Sequence, residues 1–138
     1  MTEADLDKIL IIESERDDAH WSRVQFEQEL APGKKSVPLV AVDDEVVGFA
    51  IGRSLEIEFE LFLIVVAQNA QRKGIGKTLL AAQIEAAQET GAETLFLEVK
   101  ESNGAAQELY KNAGFIECGR RKKYYANGET AVLMQFKI

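Results

Sequence analysis

The segment from Leu61 to Val99 limits what this chain can fold into more than any other. Leu61-Phe62-Leu63-Ile64-Val65-Val66 is apolar at every position, the pattern of a strand covered on both faces, whereas Glu56 to Leu61 alternates and predicts a half-solvated end. Gln71-Arg72-Lys73-Gly74-Ile75-Gly76-Lys77 follows. Gly76 to Glu89 then carries Leu79, Leu80, Ile84 and Ala87 on one helical face, with Gly91 as terminator. Thr94-Leu95-Phe96-Leu97-Glu98-Val99 reads as a buried strand holding one carboxylate. Strand, helix and strand in that order predict a right-handed parallel crossover.

The flanking sequence extends this unit. Leu6, Ile9, Leu10 and Ile12 fall near helical spacing between Ala4 and Glu15, with Asp5 and Asp7 in the first turn where negative charge suits the helix dipole. A shorter helix, Ser22 to Leu30, has a serine able to cap it and Val24, Phe26 and Leu30 partly buried, and Pro32-Gly33 ends it. Val37 to Val42 and Val46 to Ile51 flank the turn Asp43-Asp44-Glu45 and predict an antiparallel hairpin. Asn103 to Ala113 is a further helix ending at Gly114, and strands near Phe115 to Arg121 and Thr130 to Lys137 follow, joined through Asn127-Gly128. Two helices, three strands, then helix, strand, helix and two strands predict an α/β fold with a mixed central sheet flanked by about four helices. Residues 1–138 read as one domain, since 138 residues suit one core and no linker interrupts them.

Charge and cysteine content narrow the functions. A formal net charge of −7 opposes general binding to a phosphate backbone, so nucleic acid is not an expected partner. The run Arg120-Arg121-Lys122-Lys123 reads as a guard on an edge strand. Cys118 and His20 are the only cysteine and histidine, too few for a zinc site, and no metal is expected. No apolar run approaches the roughly 20 residues that span a bilayer, and the acidic start is unlike a signal peptide, so the expected location is cytoplasmic without membrane contact.

A strand leading into Gly74-Ile75-Gly76 and a helix gathers unpaired backbone N–H groups around one small volume, and Arg72, Lys73 and Lys77 add positive charge there. Such a volume attracts anions, although a glycine pair by itself equally marks an ordinary turn. Gly76-Lys77-Thr78 imitates the end of a P-loop, but the first glycine would have to stand at position 71, which is Gln71. A dinucleotide fingerprint starting at Gly74 would need glycine at position 79, which is Leu79.

With those two excluded, the chain resembles the GNAT family of N-acetyltransferases. The resemblance rests on Gln71-Arg72-Lys73-Gly74-Ile75-Gly76 with Leu79-Leu80, on Leu97-Glu98-Val99 with Ser102-Asn103, on Ala106 with Leu109-Tyr110, and on Gly114-Phe115, in order over about 60 residues. Within the family it looks most like the enzymes that acetylate the N-terminal alanine of a ribosomal protein, through Trp21-Ser22 with Phe26 and through Lys123-Tyr124-Tyr125 with Asn127-Gly128. The resemblance implies acetyl-CoA as co-substrate, held by Ile64, Val65 and Val66, by Arg72, Lys73, Gly74, Ile75, Gly76 and Lys77, and by Asn103. It implies Glu98 as general base, Tyr110 as general acid, backbone N–H groups around Val65 and Val66 as the oxyanion hole, and a peptide or protein N-terminus as acceptor, beside Trp21, Tyr124 and Tyr125. The protein would work as a monomer or homodimer. Family members begin with a strand ahead of the first helix, and proline often follows their coenzyme-binding strand. Here helical sequence starts by Ala4, so that first strand is expected to be truncated or absent, and Ala67-Gln68-Asn69-Ala70 stands where the proline would be.

The chemistry suits these residues. At pH 7 an α-amine costs roughly 1 kcal/mol to deprotonate and a lysine roughly 4 to 5, so one carboxylate can serve a chain N-terminus. Leu95, Phe96, Leu97 and Val99 suggest an apolar setting for Glu98, the kind that strengthens a carboxylate as a base. Tyr110 lies seven residues after Asn103, nearly two helical turns, so both fall on one face. Two other readings stand beside this one: acetylation of a free small amine such as a polyamine or amino acid, and a non-catalytic acyl-CoA-binding module.

Overall fold

The structure is a computed structural model that describes residues 1–16 and 20–138. A 3-10 turn at Glu3–Asp5 precedes α1 (Leu6–Ser14) and α2 (Arg23–Leu30); β1 (Ser36–Asp43), β2 (Glu45–Leu55) and β3 (Glu58–Val66) come next. The chain continues through α3 (Ile75–Glu89), β4 (Thr94–Lys100), α4 (Gly104–Ala113), β5 (Ile116–Arg121) and β6 (Ala131–Lys137). The strands form one mixed sheet in the order β1-β2-β3-β4-β6-β5, with β3 and β4 parallel and every other pair antiparallel. This is the α/β arrangement expected from the sequence. Among the described residues no strand precedes the 3-10 turn, so β1 is a sheet edge, and Pro38 removes one of its donors.

Each face of the sheet carries its own core. Leu6, Ile9 and Ile12 of α1 and Phe26 of α2 pack on Phe49, Ile51 and Val65, while Leu80 and Ala87 of α3 and Tyr110 of α4 pack on Phe59, Leu61, Leu95, Leu97, Val132 and Met134. The Ser22 hydroxyl accepts from Gln25 N (3.3 Å) and the Gln25 amide oxygen accepts from Ser22 N (2.7 Å), a reciprocal cap on α2. Val24, expected partly buried, is 61% exposed, because this eight-residue helix turns Phe26 and Glu29 inward instead. Buried Glu29 is held by Arg53 and Ser36. The third strand was expected from Glu56; Glu56 and Ile57 instead form the turn between β2 and β3, with Glu56 at φ 60° and Leu55 paired to Glu58.

The feature that shapes the site is a bulge in β3. Gly52 pairs with Leu61 and Ile51 with Leu63, leaving Phe62 as an extra residue. The bulge resets the alternation of the strand: Phe59 and Leu61 face the α3/α4 core, and Leu63 and Val65 face the α1/α2 core. Pairing with β4 also stops there, running only from Glu58 opposite Thr94 to Leu61 opposite Leu97, although β3 continues to Val66 and β4 to Lys100. Leu61 to Val66 is therefore not covered on both faces as expected; Phe62, Leu63, Ile64 and Val66 are half-buried along a gap in the sheet.

Candidate active site

The gap between β3 and β4 is the floor of a cleft of about 440 Å³. Its walls come from both faces of the sheet. Tyr110 and Asn103 approach on α4 and at its N-cap, and Trp21, Tyr124 and Tyr125 come from the other side, with Glu98 and Ile64 on the strands themselves. Seven of the residues singled out from the sequence thus meet in one place.

Glu98 owes its position to strand alternation. Leu95, Leu97 and Val99 turn into the α3/α4 core, so the apolar setting expected for Glu98 belongs to the opposite face. Its carboxylate instead lies 3.4 Å from Arg121 and beside Tyr124, whose phenol is pushed above its ordinary value by hydrogen bonding to Glu98 and then by that carboxylate's charge. Arg121 also lies over the Tyr124 ring at 5.3 Å. One member of the basic run is therefore also a partner of the cleft carboxylate, while β5, which carries it, is an edge strand as expected.

Tyr110 is buried, 8% exposed, with its ring 5.7 Å from Phe115. Burial, with a smaller contribution from Tyr125, pushes its phenol up to about 12. Asn103 caps α4, its Oδ1 accepting from Ala106 N at 3.1 Å. Trp21 stacks obliquely on Phe26 (5.4 Å) and Phe62 (6.4 Å), and Tyr124 and Tyr125 meet edge to face at 5.3 Å. The Asn127-Gly128 turn holds the two tyrosines, with Gly128 N donating to Tyr125 O at 2.8 Å.

Backbone groups complete the gap. Ala67 N donates to Val47 O at 2.8 Å, and alternation along the antiparallel ladder then turns the polar groups of Val65 toward β2 and those of Ile64 and Val66 toward the gap. Val65 thus differs from its expected role as an oxyanion donor: its N–H serves the sheet and its side chain the α1/α2 core. The N–H groups available in the gap are those of Ile64 and Val66.

The turn from Gln71 to Lys77 continues from the end of this strand and stands outside the lining of the cleft. Gln71 Nε2 donates to Val66 O (3.2 Å), and Gly74 takes the left-handed conformation at φ 80° to start α3 without a side-chain cap. The first helical bond is Thr78 N to Gly74 O, so the N–H groups of Ile75, Gly76 and Lys77 have no helical partner. Arg72, Lys73 and Lys77 are exposed around them. A Cβ on Gly76 would meet Leu109 at 3.6 Å and Val66 at 3.8 Å, which sets this backbone against both α4 and the strand end. Uncapped donors, small residues and three cations fit a pyrophosphate. In place of proline, Gln68–Ala70 forms a 3-10 turn tied to α1 through Gln68 N and Glu15 Oε1 at 3.1 Å.

Three residues of the site were missed from the sequence. Glu60 lines the cleft with Glu98, Arg121 pairs with Glu98, and Glu129 accepts from Ser102 N at 2.9 Å, joining the loop after β4 to the loop before β6. Glu60 had one visible signal, its place in the alternating half of β3; the other two depend on chain segments that meet only on folding. Among the described residues no group of three or more His, Cys, Asp or Glu is placed to hold a metal ion, and no helix is long and apolar enough to cross a membrane.

Comparison with known proteins agrees with this architecture. A profile of the Acetyltransferase (GNAT) family matches residues 4–115. The [Ribosomal protein bS18]-alanine N-acetyltransferase of Salmonella typhimurium is 38% identical over 121 residues, covering 86% of this chain and 81% of that one. Its namesake from Haemophilus influenzae is 34% identical over 134 residues, covering 94% and 90%. The crystal structure of the ribosomal-protein-S18-alanine N-acetyltransferase from Escherichia coli matches with a TM-score of 0.88 at 32% identity, covering 100% of this chain and 90% of that chain. A family match over most of the chain, carried by a sheet that opens between its two parallel strands, leaves one conclusion: the chain belongs to the GNAT family of acetyltransferases and is an N-acetyltransferase.

Proposed function

We propose that the protein transfers acetyl from acetyl-CoA to the N-terminal amine of a protein chain, with the N-terminal alanine of a ribosomal protein as acceptor. The meeting of Glu98 and Tyr110 in the gap between β3 and β4 carries this reading. Coenzyme enters over α3 and α4, with its pyrophosphate at Arg72 to Lys77, its pantetheine arm along Ile64 and Val66, and Asn103 beside it. The acceptor enters from the opposite face, between Trp21 and the Tyr124-Tyr125 pair.

Glu98 accepts a proton from the acceptor ammonium, and the neutral amine attacks the thioester carbonyl. The oxyanion is met by an N–H group that β3 turns into the gap, at Ile64 or Val66. As the tetrahedral intermediate collapses, Tyr110 donates its proton to the departing thiolate and takes up the second proton of the attacking nitrogen, so that a neutral amide and free coenzyme result and the phenol is restored. The relatives named above support alanine and a ribosomal protein as acceptor. The roughly 3 to 4 kcal/mol lower cost of freeing an α-amine than a lysine at pH 7 supports a chain terminus.

Glu98→Gln and Tyr110→Phe should each lower kcat by about 100-fold or more while calorimetry finds coenzyme affinity unchanged. Full turnover in both variants would remove the mechanism. The acceptor is tested by product mass on peptides that begin with alanine, peptides with internal lysine, and free polyamines and amino acids; acetylation confined to the small amines would overturn the peptide reading.

A further inference from the structure

Glu60 has no role in the mechanism above, yet two cavities meet at it. The cleft is adjoined by a second cavity of about 310 Å³, lined by Leu55, Phe96, Cys118, Arg121 and Leu133 among others, and among the described residues only Glu60 and Glu98 line both. Strand register explains the pairing. Glu60 stands opposite Phe96 in the parallel pair, Glu98 follows two residues later, and both project from the face that α1 and α2 cover only over β1 to β3. Over β4, β6 and β5 that face is left to the second cavity.

The net chemistry requires an exit for a proton. An acceptor α-amine, with a pKa near 7.7 to 8.0, arrives at pH 7 mostly as the ammonium ion. R–NH3⁺ and the acetyl thioester become an amide and a thiol with one proton left over, and Glu98 must shed it before the next turnover. Tyr110, on the coenzyme side, is buried and keeps its own proton between turnovers.

We propose that Glu60 is a positioning residue that acts through Glu98, taking over the proton that Glu98 removes from the acceptor and releasing it to water in the second cavity. The carboxylate of Glu98 first accepts the ammonium proton. That proton passes to the Glu60 carboxylate, which restores Glu98 as a carboxylate, and Glu60 then ionises into the second cavity. No other reactant is consumed. This rests on the base role proposed for Glu98.

The charged groups around Glu60 suit the task. Arg53 faces it from β2, Glu58 from its own strand, Glu98 from β4 and Arg121 from β5; Cys118 lines the second cavity, and Arg16 and Lys100 line the cleft. Burial first, and then the charge of Glu98, push the Glu60 carboxyl above its ordinary value against the pull of Arg53 and Arg121. A carboxylate that holds a proton more firmly than usual can receive one from its neighbour.

The test is kcat/KM of Glu60→Gln and Glu60→Asp against pH with an alanine-starting peptide. Near pH 7 Glu60→Gln should fall about tenfold, with unchanged coenzyme affinity by calorimetry, and Glu60→Asp should recover most of the loss. Above about pH 9.5 the amine arrives neutral, no net proton needs exporting, and the deficit should close. A purely structural role would leave an equal deficit at every pH, and that result overturns the proposal, as does wild-type activity of Glu60→Gln at pH 7. Glu98→Gln measured in parallel separates the two readings: loss there with a normal Glu60→Gln profile sinks only the relay, and full activity there sinks the base.

Discussion

Tyr110 keeps its proton far into the alkaline range because burial, reinforced by Tyr125, holds its phenol up at about 12. A group that donates to a thiolate must be protonated when the intermediate collapses, and this one is at every working pH. Under the proposed mechanism, the desolvation that makes it a reluctant donor would act equally on a thiolate leaving beside it, since burial disfavours any anion, so donor and acceptor would rise together. Because the folded-state value is raised, the donor form is fully present below pH 10 and is lost only as pH climbs through about 12. The kcat/KM profile should therefore stay flat on its alkaline side through pH 10; a basic limb below that, absent from Tyr110→Phe, would contradict the assignment. That Glu98, Asn103 and Tyr110 would meet was legible in advance, since one strand end and one helix face carry them. Their partners were not legible. Arg121 was read only as an edge guard because nothing along the chain says that its side chain, on the edge strand β5, reaches Glu98 of β4 across β6.

At the scale of elements, the bulge at Phe62 does most to make a site out of a sheet. It reverses the facing of β3, ends its pairing with β4, and leaves the polar groups of Ile64 and Val66 without a sheet partner on that side. Gly52, opposite the bulge, is what permits it to pack. A methyl at Gly52 would fall inside contact distance of Gln83 Oε1 and 2.8 Å from Phe59 Cζ, and Gln83 cannot swing away freely because its Nε2 donates to Val37 O at 2.8 Å. Gly52→Ala should cost about 1–3 kcal/mol, the usual range for overpacking, seen as a lower urea midpoint with the slope unchanged. A midpoint equal to that of the parent protein would show that Gln83 and Phe59 can yield. The elements themselves were readable because their signals are local: Ser22 caps α2, Gly114 ends α4, and apolar spacing marks α3. The bulge was not, since an all-apolar run looks the same with or without an extra residue.

For the whole molecule, a net charge of −7 surrounds the proposed coenzyme site, edged by Arg72, Lys73 and Lys77, and the proposed acceptor face, edged by Glu60 and Glu98. A positively charged acceptor is drawn to such a surface at long range, and salt weakens the attraction as the screening length drops from about 30 Å at 0.01 M to about 3 Å at 1 M. For a basic alanine-starting peptide, kcat/KM should fall several-fold across that range, while a neutral peptide of the same length changes little; equal salt responses would argue that net charge plays no part in capture. The α/β class, the order of elements and the turn at Gln71 to Lys77 were all written locally in the chain, because periodicity, caps and glycine spacing act over a few residues at a time. The parting of β3 and β4 at the bulge, the approach of Tyr110 and Glu98 to one gap from opposite faces, and the place of Glu60 beside Glu98 emerged only on folding. Those outcomes depend on register between strands distant in the chain, which contacts through space select and local sequence does not encode.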